Sequence, residues 1–151
     1  MRRAFFALAR LVPVAPIAAA LIFPTTAVAD VTSIQGLSAQ LVAKGAEVDV
    51  TVTFTCTAGD TVAAPQGAFG GGLSASVQQA VSKTQQAAGF GSGGGQTCTG
   101  SPQTGVVKVL ANVPGPPFRI GPAVVNASVT SCGTTGCFSA TSGLTTVRVT
   151  K

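Results

Sequence analysis

The stretch Glu47-Val48-Asp49-Val50-Thr51-Val52-Thr53-Phe54-Thr55-Cys56 decides the fold class of this 151-residue chain. Polar and apolar residues alternate over all ten positions. A period of two is typical of a β-strand with one buried and one exposed face. The pattern therefore predicts a strand whose buried face carries Val48, Val50, Val52, Phe54 and Cys56.

The same alternation recurs in other segments, and it predicts an all-β fold. These segments cover residues 37–41, 73–81, 107–113, 123–129 and 147–149. Val and Thr, which suit pleated and half-buried surfaces, dominate them, and glycines or prolines separate them. We expect residues 76–88 to form a strand followed by a loop, and the Gly-rich residues 89–95 to form a flexible loop. Short antiparallel strands in this number predict an immunoglobulin-like sandwich of about seven strands.

The first 29 residues have the features of a secretory signal peptide. Arg2 and Arg3 precede an apolar run, and Ala27-Val28-Ala29 fits the small-residue motif at which such peptides are cleaved. We therefore expect cleavage after Ala29, secretion of the mature protein, and one immunoglobulin-like domain over residues 30–151. No membrane span is expected in the mature chain.

Four cysteines, all in the mature part, predict two disulfides, because an even number in a small exported domain is typical of a disulfide framework. The turn-rich tetrapeptide Gly133-Thr134-Thr135-Gly136 favours a bridge between Cys132 and Cys137. This leaves Cys56 to pair with Cys98. Zinc binding is the alternative for four thiols, but these spacings match no zinc knuckle, and the chain has no histidine.

Composition and charge exclude several functions. Without His there is no histidine base or histidine metal ligand, and without Trp or Tyr any stacking platform must use Phe. The predicted mature chain has six basic and four acidic residues, a net charge of +2. Its basic residues are too scattered for nucleic-acid binding. Glu47 and Asp49 share the outer face of one strand, where a solvated pair is expected rather than a catalytic one. We therefore predict a protein that is not an enzyme and needs no metal or cofactor.

Two families share features with this chain. Residues 31–50, the strand-end Cys56, Thr97-Cys98-Thr99-Gly100 and the closing Cys132/Cys137 pair resemble functionally uncharacterised exported proteins of actinobacteria. That resemblance implies an immunoglobulin-like sandwich and no catalytic residues. The stretch from Gln66 to Gln96, rich in Gly and Gln, departs from it.

The Thr-containing turn between Cys132 and Cys137 also resembles one in the neocarzinostatin-type apoproteins, which carry an enediyne chromophore. Their other bridge closes a small loop, whereas Cys56 and Cys98 are far apart in this sequence. The resemblance therefore concerns one turn and the general architecture.

The expected function is that of an exported, non-enzymatic binding or structural module. Its partner would be a protein or a component of the cell envelope, and we expect a monomer. The alternative is a carrier of an apolar small molecule. Phe69, Phe90 and Phe118 fall in predicted loops beside Gly or Pro. They are predicted either to plug the ends of the sandwich or to form an exposed apolar binding patch.

Overall fold

The computed structural model describes residues 33–62 and 72–151. The predicted signal peptide and Phe69 lie outside these ranges. One 3₁₀ turn spans Ala43–Gly45. The strands in the described ranges are β1 (Ser33–Val42), β2 (Glu47–Thr55), β3 (Thr61–Val62), β4 (Leu73–Ala80), β5 (Gln86–Gly93), β6 (Gln96–Thr97), β7 (Gln103–Ala111), β8 (Gly121–Gly133), β9 (Gly136–Thr141) and β10 (Thr145–Thr150).

Seven strands close into a barrel in the order β10-β1-β2-β7-β5-β4-β8, and β8 pairs again with β10. The β1–β10 pair is parallel, whereas the other pairs of the ring are antiparallel. The short strands β3 and β6 and the hairpin strand β9 attach to the ring through β8. The prediction of an all-β fold is confirmed. The hydrogen bonds join the strands into one ring, however, and do not divide them into two separate sheets.

The barrel interior is filled by the inward-facing residues of each strand. On β2 the predicted face is confirmed, because Val48, Val50, Val52 and Phe54 are buried. The residues that complete the core on the other long strands are also small or medium-sized and apolar: Ala39, Leu73, Ala75, Val77, Ala87, Val107, Val109, Ala123, Val125, Ala127, Val129 and Val149.

Both predicted disulfides are present. The Cys56–Cys98 bridge joins the end of β2 to the residue that follows β6, with a Cα–Cα distance of 5.5 Å. Both of its cysteines are buried. The Cys132–Cys137 bridge closes the β8–β9 hairpin, and Cys137 is exposed.

The prediction of a flexible glycine loop at residues 89–95 is wrong, because β5 continues to Gly93. β5 forms a hairpin with β4 and also pairs with β7 at Gly89 and Phe90. A Cβ atom at Gly89 or Gly91 would overlap a backbone carbonyl oxygen of β7. Neither glycine has a positive φ. Glycine is thus needed here for the close approach of two strands, not for chain flexibility.

We expect Gly91→Ala to lower the free energy of unfolding by about 3 kcal/mol, because the new methyl group must push β5 away from the Lys108 carbonyl. Gly93→Ala is the matched control on the same strand. There the nearest atom, the Val106 carbonyl oxygen, lies 3.4 Å from the added carbon. Chemical denaturation of both variants checks the prediction, which would be contradicted by equal stabilities.

Candidate binding face

Phe118, which the sequence predicts as a candidate binding residue, is a core residue. It lies between β7 and β8 and is 2% exposed. Its backbone N–H donates a hydrogen bond to the Gly45 carbonyl oxygen at 2.8 Å. The buried Gln79 side chain holds the next residue, since it donates to the Arg119 carbonyl oxygen and accepts from the Arg119 N–H, both at 2.7 Å. Phe118 therefore belongs to the buried core, beside the turn that ends at Gly45.

Phe90 has the opposite environment. It lies within β5 and not in a loop, and 57% of its surface is exposed. Its neighbours Gly89 and Gly91 face inward and are buried, so the Phe90 ring stands on the outer surface of the barrel. Phe90 pairs with Ser76 on one side and with Leu110 on the other.

The outward residues of β8, β4 and β5 form three rows across the strands, with Phe90 at one end of the central row. We call this set of nine residues the Phe90 face. None of the nine is ionisable, and each side chain is either half-buried or exposed. The rows are Val124-Gln78-Ala88, Asn126-Ser76-Phe90 and Ser128-Ser74-Ser92.

Polar groups beside the Phe90 ring are available to a ligand. Among the described residues, the side chains of Ser76 and Asn126 have no hydrogen-bond partner. In the adjacent row the hydroxyl groups of Ser74 and Ser128 bond to each other at 2.8 Å. A shallow depression of about 90 Å³ lies among Phe90 and these four side chains. The Phe90 ring thus borders an uncharged depression that is lined by hydroxyl and amide groups.

The surface on the other side of Phe90 is different in character. On β7 the exposed side chains of Val106 and Leu110 alternate with the outward Lys108. The Lys108 ammonium lies 3.6 Å from the Glu47 carboxylate on β2. Because the lysine side chain is 72% exposed, this ion pair contributes little to stability. Glu47 and Asp49 lie on the outer face of β2, beside Lys108.

A larger depression, of about 490 Å³, lies at the turn between β4 and β5 and opens to solvent. Its lining is mostly polar and includes Gln78, Lys83, Gln86 and Val124. The amide of Gln86 donates to the side-chain oxygen of Gln78 at 3.1 Å, which closes one wall. In the described ranges, no group of three or more His, Cys, Asp or Glu side chains is placed to hold a metal ion.

The polar members of the Phe90 face were not singled out by the sequence. Five of them are outward positions of the alternating segments 73–81 and 123–129, so their direction could be read from the period: Ser74, Ser76, Gln78, Asn126 and Ser128. The sixth, Ser92, falls in the residues for which the sequence predicts a loop. The proximity of these residues to Phe90 could not be read from the period, because it depends on which strands are neighbours and in which register.

No protein-family model matches this chain, and no curated protein or solved structure matches it either. Within residues 33–62 and 72–151, no helix has the length and apolar character needed to cross a membrane.

Proposed function

We propose that this protein is an exported, non-enzymatic binding module that attaches to a component of the cell envelope through the Phe90 face. One observation carries the proposal: an exposed aromatic ring stands on a regular strand beside polar side chains that lack partners in the described part of the protein. Strands of a closed barrel hold such groups in fixed positions. Binding then costs little ordering entropy.

Export is supported by the sequence and by the disulfides. The positively charged start, the apolar run and Ala27-Val28-Ala29 are the features of a cleaved signal peptide. Two disulfides suit an oxidising compartment, and one of them, the Cys132–Cys137 bridge, includes the exposed Cys137. We propose secretion with cleavage after Ala29, and a monomeric mature protein.

For the fold family we propose an immunoglobulin-like sandwich whose edges touch. Two strand pairings of the barrel consist of only two residue pairs each: β1 pairs with β10 at Ala39 and Gln40, and β5 pairs with β7 at Gly89 and Phe90. Separating the ring at these contacts leaves β1-β2-β7 and β5-β4-β8-β10. Two antiparallel sheets of this kind are the architecture of immunoglobulin-like domains. This supports the resemblance to the exported actinobacterial proteins.

The carrier alternative has less support. An apolar ligand needs a concave, mainly apolar pocket, whereas the 490 Å³ depression is lined largely by Gln, Ser, Thr and Lys side chains. The barrel interior is occupied by the buried side chains of its own strands. We therefore do not propose a neocarzinostatin-like role.

A co-sedimentation experiment tests the proposed function. The purified protein, with both disulfides formed, is mixed with cell-envelope fragments of the organism that encodes it, and the bound fraction is measured. We expect saturable binding that Phe90→Ala weakens at least tenfold, since the ring provides the main apolar contact. Val113→Ala is the control, because Val113 is 93% exposed but lies outside the Phe90 face. Absence of binding, or equal binding by Phe90→Ala, would refute the proposal.

A further inference from the structure

We infer that the ligand of the Phe90 face is a neutral carbohydrate chain. This inference rests on the proposed function and adds the chemical class of the ligand. A sugar ring has an apolar face of C–H groups and a rim of hydroxyl groups that both donate and accept hydrogen bonds. A protein surface that binds a sugar must therefore offer an aromatic ring next to groups that can both donate and accept hydrogen bonds.

The Phe90 face offers this combination. The Phe90 ring provides the apolar surface, on which C–H groups pack by dispersion. The Ser76 hydroxyl and the Asn126 amide can each donate and accept. Both lie in the same row as Phe90. A ligand hydroxyl group in the 90 Å³ depression could therefore form hydrogen bonds with Ser76 and Asn126, whose side chains have no partner among the described residues.

The absence of charge on the face favours a neutral ligand. None of its nine residues is ionisable, so an acidic or basic ligand would lose hydration there without gaining an ion pair. Charged side chains lie only at its borders: Lys108 pairs with Glu47 beyond β5, Lys83 lines the depression beside Gln78, and Arg148 on β10 lies opposite Pro122. The uncharged depression beside Phe90 therefore favours a neutral group at this position, because a charged group would have to reach the borders of the face to find a counter-charge.

The small apolar content of the face argues against a protein partner. Stable protein interfaces bury about 800 Å² on each side around a core of aromatic and aliphatic anchors. The Phe90 face has one aromatic ring, and its other apolar members are Ala88 and the partly exposed Val124. On the neighbouring strand β7, Leu110 and Val106 add exposed aliphatic surface, but Lys108 stands between them. Adjacent strands lie about 4.8 Å apart, so the central row spans about 10 Å from Asn126 to Phe90. That length suits a few sugar units of an extended chain.

Selective treatment of the envelope fragments tests the inference. Before co-sedimentation, separate samples are digested with proteinase K, digested with lysozyme, or oxidised with periodate, which cleaves vicinal diols. With the bound protein expressed per unit mass of fragments that still sediment, we expect proteinase K to leave binding unchanged, and lysozyme or periodate to abolish it. Loss of binding after proteinase K alone would indicate a protein ligand and overturn the inference. Persistence of binding after both carbohydrate treatments would also overturn it.

Variants on the same fragments provide an independent test. We expect Asn126→Ala to weaken binding about fivefold to tenfold and Leu110→Ala to leave it unchanged. Leu110 is the matched control, because it is as exposed as Phe90 and pairs with it from the next strand. An effect of Leu110→Ala as large as that of Phe90→Ala would contradict a carbohydrate ligand.

The outcomes separate the two proposals. Binding that depends on Phe90 but resists lysozyme and periodate leaves the binding module standing and refutes the carbohydrate inference. Binding that does not depend on Phe90 refutes both. The melting temperatures of all variants are measured alongside, and we expect them to stay within about 2 °C of the parent, because the altered side chains are exposed.

Discussion

Phe118→Ala is expected to lower the free energy of unfolding by about 4 kcal/mol. Removing a fully buried ring loses its transfer free energy and leaves a cavity that the surroundings fill only in part. The backbone hydrogen bonds of this segment, to Gly45 and Gln79, limit how far it can collapse into that cavity. Guanidinium-induced unfolding followed by circular dichroism measures the effect.

Phe90→Ala is the matched control for this measurement. It is the same substitution at a ring that is 57% exposed, and we expect a change of no more than about 0.5 kcal/mol. Similar losses in the two variants would show that Phe118 does not have the buried position described above. The pair also separates stability from binding, since Phe90→Ala is expected to lose the ligand while remaining folded.

Removal of the long disulfide by the double substitution Cys56→Ala and Cys98→Ala should destabilise the protein by about 4 kcal/mol. The bridge joins residues 42 positions apart, so its loss releases a large chain entropy in the unfolded state. The double substitution Cys132→Ala and Cys137→Ala is the comparison. Its bridge spans five positions, and the expected loss is about 2 kcal/mol.

Denaturant titration of the two double variants under identical conditions gives both values. The long bridge is also buried, whereas the short one lies at an exposed hairpin end. Loss of packing therefore adds more to the entropic term for the buried Cys56 and Cys98 than for the half-buried Cys132 and the exposed Cys137. An equal or larger effect of removing the short bridge would contradict the prediction.

The sequence predicts those strands in which polar and apolar side chains alternate. On β2 every predicted inward residue is buried, because Val and Phe at alternate positions have no other way to leave water together. Cysteine spacing was equally informative. A turn of four small residues brings Cys132 and Cys137 together regardless of the rest of the chain.

β5 could not be predicted in the same way. Its inward positions include Gly89 and Gly91, which have no side chain and so produce no hydrophobic period. The reason for glycine there is the backbone of β7, which is distant in sequence. The sequence therefore predicts a loop at Phe90, and only the strand register brings Phe90 into one row with Ser76 and Asn126.

The parallel pairing of β1 with β10 has a consequence for how the chain folds. It joins Ala39 to Val149, which are almost at opposite ends of the described sequence. During synthesis the N-terminal strands emerge first. Until β10 is complete, β8 lacks its partner at residues 121–125, and the edge of β1 stays open. Contacts of such long sequence separation make folding slow. Closure of the barrel is therefore a late event that requires the whole domain to have been synthesised.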